Sequence, residues 1–353
     1  MNLEAHLESL PERDARDFGR IVRLLKAQPE VEPSPGLHER IAARLPRRGR
    51  LPKAWWWVPV AASLAILLSQ VSLFQRASDG GGDTRWLADN QEADGTWDPA
   101  RHGGVEAFRP ALTALSLLAL RQHPKAYPQE IAKGVSALER MQTADGAFGG
   151  HDGQARLYNL AIATYALAIC GADSSALAQA IAHIGMCQAP DGSWAYAGTQ
   201  EGNVAVTAWM TRALASAETC GNTDASVPLR KGLRWLRNHV RDDGRMAYHP
   251  SSAPSDTLTA LSACSLIEAG KLFPDVQALG IRMTDALNVH AAAPDSYRDY
   301  AKIIAFESAG KTVSAESVRT QVRQRRHDAS QDQWRVAGGQ LYMVALRTLC
   351  RVQ

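Results

Sequence analysis

A short turn motif that recurs along the chain places the strongest constraint on its fold. Each copy follows a helical stretch and consists of Asp-Gly with, in three of four cases, an aromatic residue two positions after the glycine. The copies are Asp94, Gly95 and Trp97; Asp145, Gly146 and Phe148; Asp191, Gly192 and Trp194; and, with methionine in the aromatic position, Asp243 and Gly244. They recur at intervals of roughly 50 residues, and a fixed interval of this size is typical of repeat proteins.

Asp-Gly is a turn signal, because glycine accepts a positive φ angle and an aspartate side chain can hydrogen-bond to its own backbone two residues on. Each copy is therefore predicted to end the helix before it, and its residues are interpreted as structural. A glutamine lies three residues before each of the first three aspartates, at Gln91, Gln142 and Gln188, and is expected to reach backbone donors nearby. The aromatic residue is expected to pack over the turn.

Two kinds of helical run alternate with these turns. The runs that follow the turns are apolar on almost every side, so they are predicted to be buried on most faces. They cover residues 111–120, 157–170, 204–217, 257–269, 297–306 and 340–349. The runs that precede the turns are more polar, and they cover residues 129–142, 175–188, 227–240, 275–289 and 313–325. Six pairs of one polar and one buried helix are enough to close a ring, which predicts an all-α fold.

The Gln-x-x-Asp-Gly-x-Trp repeat resembles the motif of the squalene cyclase and protein prenyltransferase superfamily. The stretches 158–167, 206–209 and 334–342 look like those of the bacterial prenyltransferase/squalene-oxidase-repeat proteins. The resemblance covers about residues 83–352. It implies that residues 84–353 form an α/α toroid with about six inner and six outer helices, because that is the fold of the superfamily.

An uncharged stretch precedes this domain. Residues 55–74 carry no charge over about 20 positions, which is the length that spans a bilayer core as a helix, and three tryptophans begin the stretch. We therefore predict a single transmembrane helix over 54–75 and a flexible linker over 76–83, with a buried soluble helix as the alternative. The segment 44–53 is basic and holds no acid, so the positive-inside rule places the N-terminus in the cytoplasm and the toroid outside. This predicts a single-pass protein of the bacterial inner membrane.

Residues 1–53 are predicted to form a short helical cytoplasmic segment. It is too small to bury a core alone, so a cytoplasmic protein partner is expected. Residues 33–37, followed by a basic helix and a membrane span, resemble the N-terminal part of bacterial anti-sigma factors, although the His-x-x-x-Cys-x-x-Cys zinc pattern of one such group is missing. The formal net charge of +3 is too small to indicate nucleic-acid binding. The expected partners are therefore the lipid bilayer and a protein.

The resemblance to squalene-hopene cyclases implies a place for a catalytic acid, but this chain departs from the pattern there. That family uses Asp-x-Asp-Asp-Thr-Ala at the start of an inner helix, and the corresponding stretch here is 253–258. Asp256 and Thr257 match the last Asp and the Thr, whereas Ser255 stands where the resemblance implies the proton donor. A hydroxyl group cannot supply that acidity, so cyclase chemistry by this route is not expected. A Ser-Asp pair ahead of a helix is also a common N-cap.

Other chemistries of this fold need patterns that the sequence does not show. No histidine is paired with a cysteine at metal-ligand spacing, and the Asp-Asp-x-x-Asp cluster that binds diphosphates is missing, so no cofactor or metal is predicted. Two carboxylates at one rim would suit a glycoside-processing enzyme. The acids that precede inner helices are Glu106, Asp152, Glu201, Asp256 and Asp295. Among them Asp152, Glu201 and Asp256 are the catalytic candidates.

Four aromatic residues on inner helices, Tyr158, Trp209, Tyr300 and Tyr342, are candidates to line a cavity, with packing in the core as the alternative. The function favoured is a membrane-anchored toroid that binds or scaffolds at the cell envelope without catalysis, with an isoprenoid or a glycan as its ligand. Two alternatives remain open. One is an enzyme that acts on an isoprenoid or a glycan, and the other is an anti-sigma-like transmembrane signalling protein.

Overall fold

Twelve α-helices form most of the described part of the chain. The computed structural model describes residues 80–149, 155–171, 174–196, 202–248, 251–290, 295–324 and 335–351. The helices are α1 Gly80–Asp89, α2 Arg109–Arg121, α3 Pro128–Met141, α4 Ala155–Cys170, α5 Ser174–Met186, α6 Val204–Thr219, α7 Ser226–His239, α8 Asp256–Ala269, α9 Pro274–Asp285, α10 Ser296–Ser308, α11 Thr312–Gln324 and α12 Arg335–Arg351. The chain divides into the units Met1–Leu67 and Leu68–Gln353, and the described residues all lie in the second.

Six of these helices form an inner ring. α2, α4, α6, α8, α10 and α12 follow one another around it, each packed against the next, and α12 packs in turn against α2. The ring is therefore closed. Its helices are apolar on nearly all sides because each has a neighbour on both flanks and an outer helix behind it. In α4, for example, Leu160, Ala163 and Leu167 are completely buried.

The other six helices form an outer ring. α3, α5, α7, α9 and α11 each pack mainly against the inner helix that precedes them in the chain. This arrangement leaves α1 without a preceding inner helix, and α1 packs instead against α12. The prediction of an α/α toroid with six inner and six outer helices is confirmed, and the two ends of the toroid meet where α1 covers α12.

A buried ion pair holds that junction. Asp83, in the first turn of α1, is only 5% exposed. Its Oδ2 atom lies 2.6 Å from Arg347 Nε and 2.9 Å from Arg351 Nη1, and its Oδ1 atom lies 2.7 Å from Arg347 Nη2. The linker predicted over 76–83 is therefore wrong for residues 80–83, which belong to α1. The partner Arg347 lies 264 residues away in sequence, so the local run of glycines gives no sign of the contact.

The Asp-Gly motif forms the same tight turn in successive repeats. The motif glycines have positive φ angles: Gly95 86°, Gly146 85°, Gly192 97° and Gly244 78°. In the first copy Asp94 Oδ1 accepts hydrogen bonds from the Thr96 backbone N–H at 2.9 Å and from the Thr96 hydroxyl at 2.8 Å. Asp191 accepts the same two bonds from Ser193. The carboxylate thus stabilises the turn by accepting hydrogen bonds from the residue two positions later.

The glutamine before each of the first three turns fixes the next outer helix in place. Gln91 Nε2 donates to the Gly95 carbonyl at 3.0 Å and to the Glu130 carbonyl, in α3, at 2.9 Å. Equivalent bonds are made by Gln142 to Gly146 and Ala176, and by Gln188 to Gly192 and Pro228. The expectation that these glutamines meet backbone donors is wrong, because the amide nitrogen is the donor and carbonyls accept. Each glutamine therefore joins one turn to the start of the following outer helix.

None of the described helices is long and apolar enough to cross a membrane. The cytoplasmic segment predicted over 1–53, the span predicted over 54–75 and the linker residues 76–79 lie outside the described residues. These three assignments stay predictions.

Candidate functional site

A cavity of ≈ 370 Å³ opens at the end of the toroid where the inner helices begin. Its wall comes from the N-terminal halves of five inner helices. Ala111 lies near the start of α2, Tyr158 near that of α4 and Tyr297 near that of α10. α6 and α12 complete the wall. The described lining residues are Phe108, Ala111, Leu112, Leu115, Tyr158, Ile162, Tyr196, Asn203, Trp209, Tyr248, Tyr297, Gly338 and Tyr342.

Trp209 of α6 forms the floor of this cavity and is 1% exposed. Its indole N–H donates to the Tyr297 hydroxyl at 2.7 Å. The ring stacks on Tyr300, with centroids 6.4 Å apart, and meets the edge of Tyr165 at 6.0 Å. Aromatic contacts of this geometry add to the stabilisation from burial, so the floor is held on several sides.

A buried ion pair supports the floor from the other side. Arg212 Nε lies 2.7 Å from Glu268 Oε2, and Arg212 Nη2 lies 2.9 Å from Glu268 Oε1. The same Nη2 donates to the Tyr165 hydroxyl at 2.9 Å, and the guanidinium lies 4.4 Å from the centre of that ring. Arg212, Glu268, Tyr165 and Tyr300 line a second, smaller cavity of ≈ 230 Å³ at the opposite end of the inner ring. The two cavities are therefore separated by a layer of aromatic rings and a bidentate ion pair.

Five tyrosines line the first cavity, and the hydroxyls of four of them, Tyr158, Tyr196, Tyr248 and Tyr297, act on one another. Tyr158 and Tyr196 share a hydrogen bond, and their ring centroids lie 6.5 Å apart. Burial raises the pKa of Tyr158 well above its usual value, and it also raises the pKa of Tyr196, Tyr248 and Tyr297. All four side chains are therefore neutral phenols at physiological pH, each able to donate and to accept a hydrogen bond.

The structure places three of the four aromatic residues proposed from the sequence around this cavity. Tyr158, Trp209 and Tyr342 line it, whereas Tyr300 lies beneath Trp209 and lines the second cavity. Tyr196 and Tyr248 were not singled out from the sequence. Each of them lies five residues after the aspartate of its turn. This shared position within the repeat is the sequence feature that could have indicated them.

Asp256 is engaged in ion pairs and does not line either cavity. Its Oδ2 atom lies 2.7 Å from Lys302 Nζ, and its Oδ1 atom lies 2.9 Å from Arg245 Nη2. Ser255 caps α8, since its hydroxyl accepts from the Leu258 backbone N–H at 3.4 Å. The Ser-Asp pair therefore has the geometry of a helix N-cap followed by a buried ion pair.

The remaining rim acids have other partners or cannot be placed. Asp295 caps α10 by accepting from the Arg298 backbone N–H at 2.9 Å. Glu106 pairs with Arg109 through two bonds, at 2.5 and 2.9 Å. Asp152 and Glu201 lie outside the described residues. Where the chain is described, no group of three or more His, Cys, Asp or Glu side chains is arranged to hold a metal ion.

Two family models match the chain, and they overlap. The squalene-hopene cyclase C-terminal domain matches residues 108–255, and the prenyltransferase alpha-alpha toroid domain matches residues 59–156. No curated protein sequence matches this one.

Solved structures of glycan-active proteins show a distant likeness. A UGL variant with dGlcA-Glc-Rha-Glc is 16% identical with a TM-score of 0.38, over 77% of this chain and 80% of that one. The unsaturated glucuronyl hydrolase of Bacillus sp. GL1, responsible for the degradation of glycosaminoglycan, is 17% identical with a TM-score of 0.34, over 70% of this chain and 73% of that one. These values are too low to indicate a shared function. The two family matches agree with the closed double ring of helices, and together they show that this chain is similar to the α/α toroid superfamily of squalene cyclases and prenyltransferases.

Proposed function

We propose that the toroid is a non-catalytic binding module that holds an apolar, uncharged ligand in the cavity at the start of the inner helices. The observation that carries this proposal is the lining of that cavity: its described residues are aromatic or aliphatic apart from one amide and one glycine, and none carries a charge. A closed ring of buried helices keeps the cavity formed without a ligand. Preformed, mostly apolar cavities of this size are the usual sites for small molecules.

The chemistry of the wall selects against charged ligands. Burial of apolar ligand surface contributes about 25 cal/mol per Å², so an isoprenoid-like molecule gains from this cavity. A diphosphate or a uronate would lose its hydration without meeting a described cation, and burying an unpaired charge is strongly unfavourable. The isoprenoid ligand is therefore preferred to the acidic glycan.

The placement of Asp256 supports a binding role rather than catalysis. Both of its carboxylate oxygens are occupied by cations, and Lys302, one of the two, is completely buried. An acid that must protonate an alkene has to reach the substrate, whereas Asp256 does not line the cavity. We propose that this carboxylate stabilises the fold.

We also propose that residues 54–75 anchor the protein in the bacterial inner membrane, that residues 1–53 meet a cytoplasmic protein and that the toroid lies outside. The support comes from the uncharged stretch and the basic segment before it. Cys220 is exposed on the toroid, whereas Cys264 is buried. A membrane-impermeant maleimide should therefore label Cys220 in intact spheroplasts; labelling only after lysis would place the toroid inside.

Ligand-induced stabilisation tests the binding proposal. Excess farnesol, a neutral isoprenoid, should raise the melting temperature of the full chain in lipid nanodiscs, because a ligand that binds only the folded state stabilises it. The variant Ala111→Trp should fill the cavity and lose the shift. Ala132→Trp, on the exposed side of α3, is the matched control and should keep it. Equal shifts in all three proteins would contradict binding in this cavity.

A further inference from the structure

We infer that the cavity takes an apolar molecule with one neutral oxygen function, a hydroxyl or a carbonyl, and that the tyrosine hydroxyls of its wall receive that group. The inference rests on the proposed function and narrows its ligand. The phenol cluster, defined as Tyr158, Tyr196, Tyr248 and Tyr297, supplies the polar contacts. The ligand class is thus an isoprenoid-like alcohol or ketone rather than a hydrocarbon or a diphosphate.

The wall of the cavity is divided into an apolar and a polar side. Leu112, Leu115 and Ile162, with Phe108 and Ala111, come from α2, from the turn before it and from α4, and they carry no polar side-chain atom. The phenol cluster lies on α4, on α10 and on the two segments that follow the third and fourth Asp-Gly turns. A ligand with one polar end can interact favourably with both sides, whereas a hydrocarbon offers no hydrogen-bonding group to the polar side.

The hydroxyls of the cluster lie close to one another. Tyr158 shares a hydrogen bond with Tyr196, and the Tyr297 hydroxyl accepts the Trp209 indole N–H at 2.7 Å. The charge of Asp295 acts on Tyr248 and, with burial, raises the pKa of that phenol. An acid thus acts on one side of the cluster, and its charge disfavours an anionic headgroup there, whereas a neutral donor or acceptor is not repelled.

A saccharide fits this wall less well than an apolar alcohol. Asn203 is the single amide among the described lining residues, and its Oδ1 atom already accepts from the Val206 backbone N–H at 3.0 Å to cap α6. A sugar carries hydroxyl groups on all sides, and those facing Leu112, Leu115 and Ile162 would lose hydration without gaining a partner. The wall therefore matches one polar group on an otherwise apolar molecule.

Three probes with the same carbon skeleton separate these classes. We would measure equilibrium binding of radiolabelled farnesene, farnesol and farnesyl diphosphate to the full chain in lipid nanodiscs, with empty nanodiscs subtracted. Farnesol should bind about tenfold more tightly than farnesene, as one net hydrogen bond allows. Farnesyl diphosphate should bind most weakly of the three. Glucose oligomers serve as the neutral saccharide probe and should not compete with farnesol.

The variant Tyr196→Phe tests the role of the cluster. It should weaken farnesol binding about five- to tenfold and leave farnesene binding unchanged, because only the alcohol uses the hydroxyl. Tyr127→Phe removes a phenol hydroxyl outside the cavity and is the matched control, with an unaltered preference for farnesol. Both variants should keep a cooperative melting transition, lowered in Tyr196→Phe by no more than the loss of one hydrogen bond allows, which excludes a loss of fold.

The outcomes distinguish this inference from the function on which it rests. Equal binding of farnesene and farnesol, in the wild type and in Tyr196→Phe alike, would overturn the inference and leave a binding cavity for apolar molecules in place. Tightest binding by farnesyl diphosphate or by the glucose oligomers would also overturn it. Absence of binding by every probe would overturn the proposed function together with the inference.

Discussion

The buried charge of Lys302 determines the role of its partner, Asp256. The lysine side chain is completely buried, and its ammonium group lies 2.7 Å from Asp256 Oδ2 and 2.5 Å from the Asn288 carbonyl. A buried ammonium without a partner would be very unfavourable, so Asp256 has to stay in place beside it. This requirement leaves the carboxylate little freedom to act as an acid.

Removal of Lys302 should therefore be costly. Lys302→Met leaves Asp256 with one partner fewer in a largely buried position, and we expect a loss of about 3 kcal/mol in the free energy of unfolding, measured by urea denaturation. The double variant Asp256→Asn, Lys302→Met should lose less than the sum of the two single variants. Lys311, which pairs with the exposed Asp285, is the control, and Lys311→Met should cost under about 1 kcal/mol. Equal losses for the two lysines would contradict the structural role of Lys302.

Only some of the residues that line the cavity could be predicted from the sequence. Tyr158, Trp209 and Tyr342 could be proposed because inner helices of a ring must face its centre. Tyr196 and Tyr248 lie after turns, where side-chain direction depends on how the following loop packs. The separation of Tyr300 from the cavity depends on its stacking under Trp209, a contact between α6 and α10 that no local pattern contains.

The Asp-Gly turn recurs along the toroid, and its glycine is required for two reasons. The backbone has a positive φ angle there, and the next outer helix approaches closely. Gly192 has a φ angle of 97°, and a Cβ atom there would lie 2.6 Å from the Lys231 carbonyl oxygen in α7. Gly310 also has a positive φ angle, 72°, but a Cβ atom there would meet nothing within 4 Å. A comparison of these two glycines therefore separates the free-energy cost of the left-handed backbone conformation from the cost of a steric clash with α7.

We expect Gly310→Ala to lose about 1–2 kcal/mol of unfolding free energy, which is the cost of a left-handed conformation for an L-residue. Gly192→Ala should lose at least twice as much, because the turn must also move away from α7. Thermal and urea denaturation of the two variants provide the comparison. A smaller loss for Gly192→Ala than for Gly310→Ala would show that the turn is not packed against the outer helix as described.

The turn carboxylate should also make stability depend on pH. Hydrogen bonds from the Thr96 backbone N–H and hydroxyl hold the pKa of Asp94 below its usual value of 3.8. A carboxylate whose pKa is lower in the folded state stabilises the fold above its unfolded pKa, and this contribution is lost as pH falls through the folded value. Asp94→Asn should therefore reduce the decline in urea midpoint below about pH 4. An identical decline in both proteins would mean that the turn does not favour the ionised form.

The alternation of elements was predictable from the sequence, but their partners were not. The apolar runs and Asp-Gly turns gave the order of inner and outer helices because burial on all sides and turn chemistry are local properties. Which inner helix each outer helix covers depends on the ring as a whole. The glutamine at 91 illustrates this point, since one of its two acceptors is a carbonyl in the next outer helix.

At the scale of the whole molecule, the first described helix completes the outer ring. α1 covers α12, and Asp83 joins them through Arg347 and Arg351, whose side chains are 18% and 9% exposed. Residues 80–83 looked like a tether in the sequence because three glycines precede the aspartate. The arginines that turn this stretch into a helix are near the other end of the chain.

Loss of this junction should open the toroid at one place. Asp83→Ala leaves two largely buried guanidinium groups without their carboxylate, and we expect a loss of about 3 kcal/mol. Hydrogen exchange should show reduced protection first in α1 and α12, with α4 and α6 little changed, because opening is local before it is global. Asp89→Ala, which removes an exposed pair with Arg85, is the control. A uniform loss of protection over all helices would contradict a local closure by α1.

The cavity depends on the closure of the inner ring, since α2 and α12, the two helices that meet there, both contribute to its wall. The central claim is that this closed ring holds an apolar, uncharged molecule. A native mass spectrum of the full chain, released gently from membranes, tests it most directly. We predict a second species, heavier by the mass of one neutral ligand, that is absent from Ala111→Trp and present in Ala132→Trp. A bare chain in all three proteins, or the same adduct in all three, would contradict the claim.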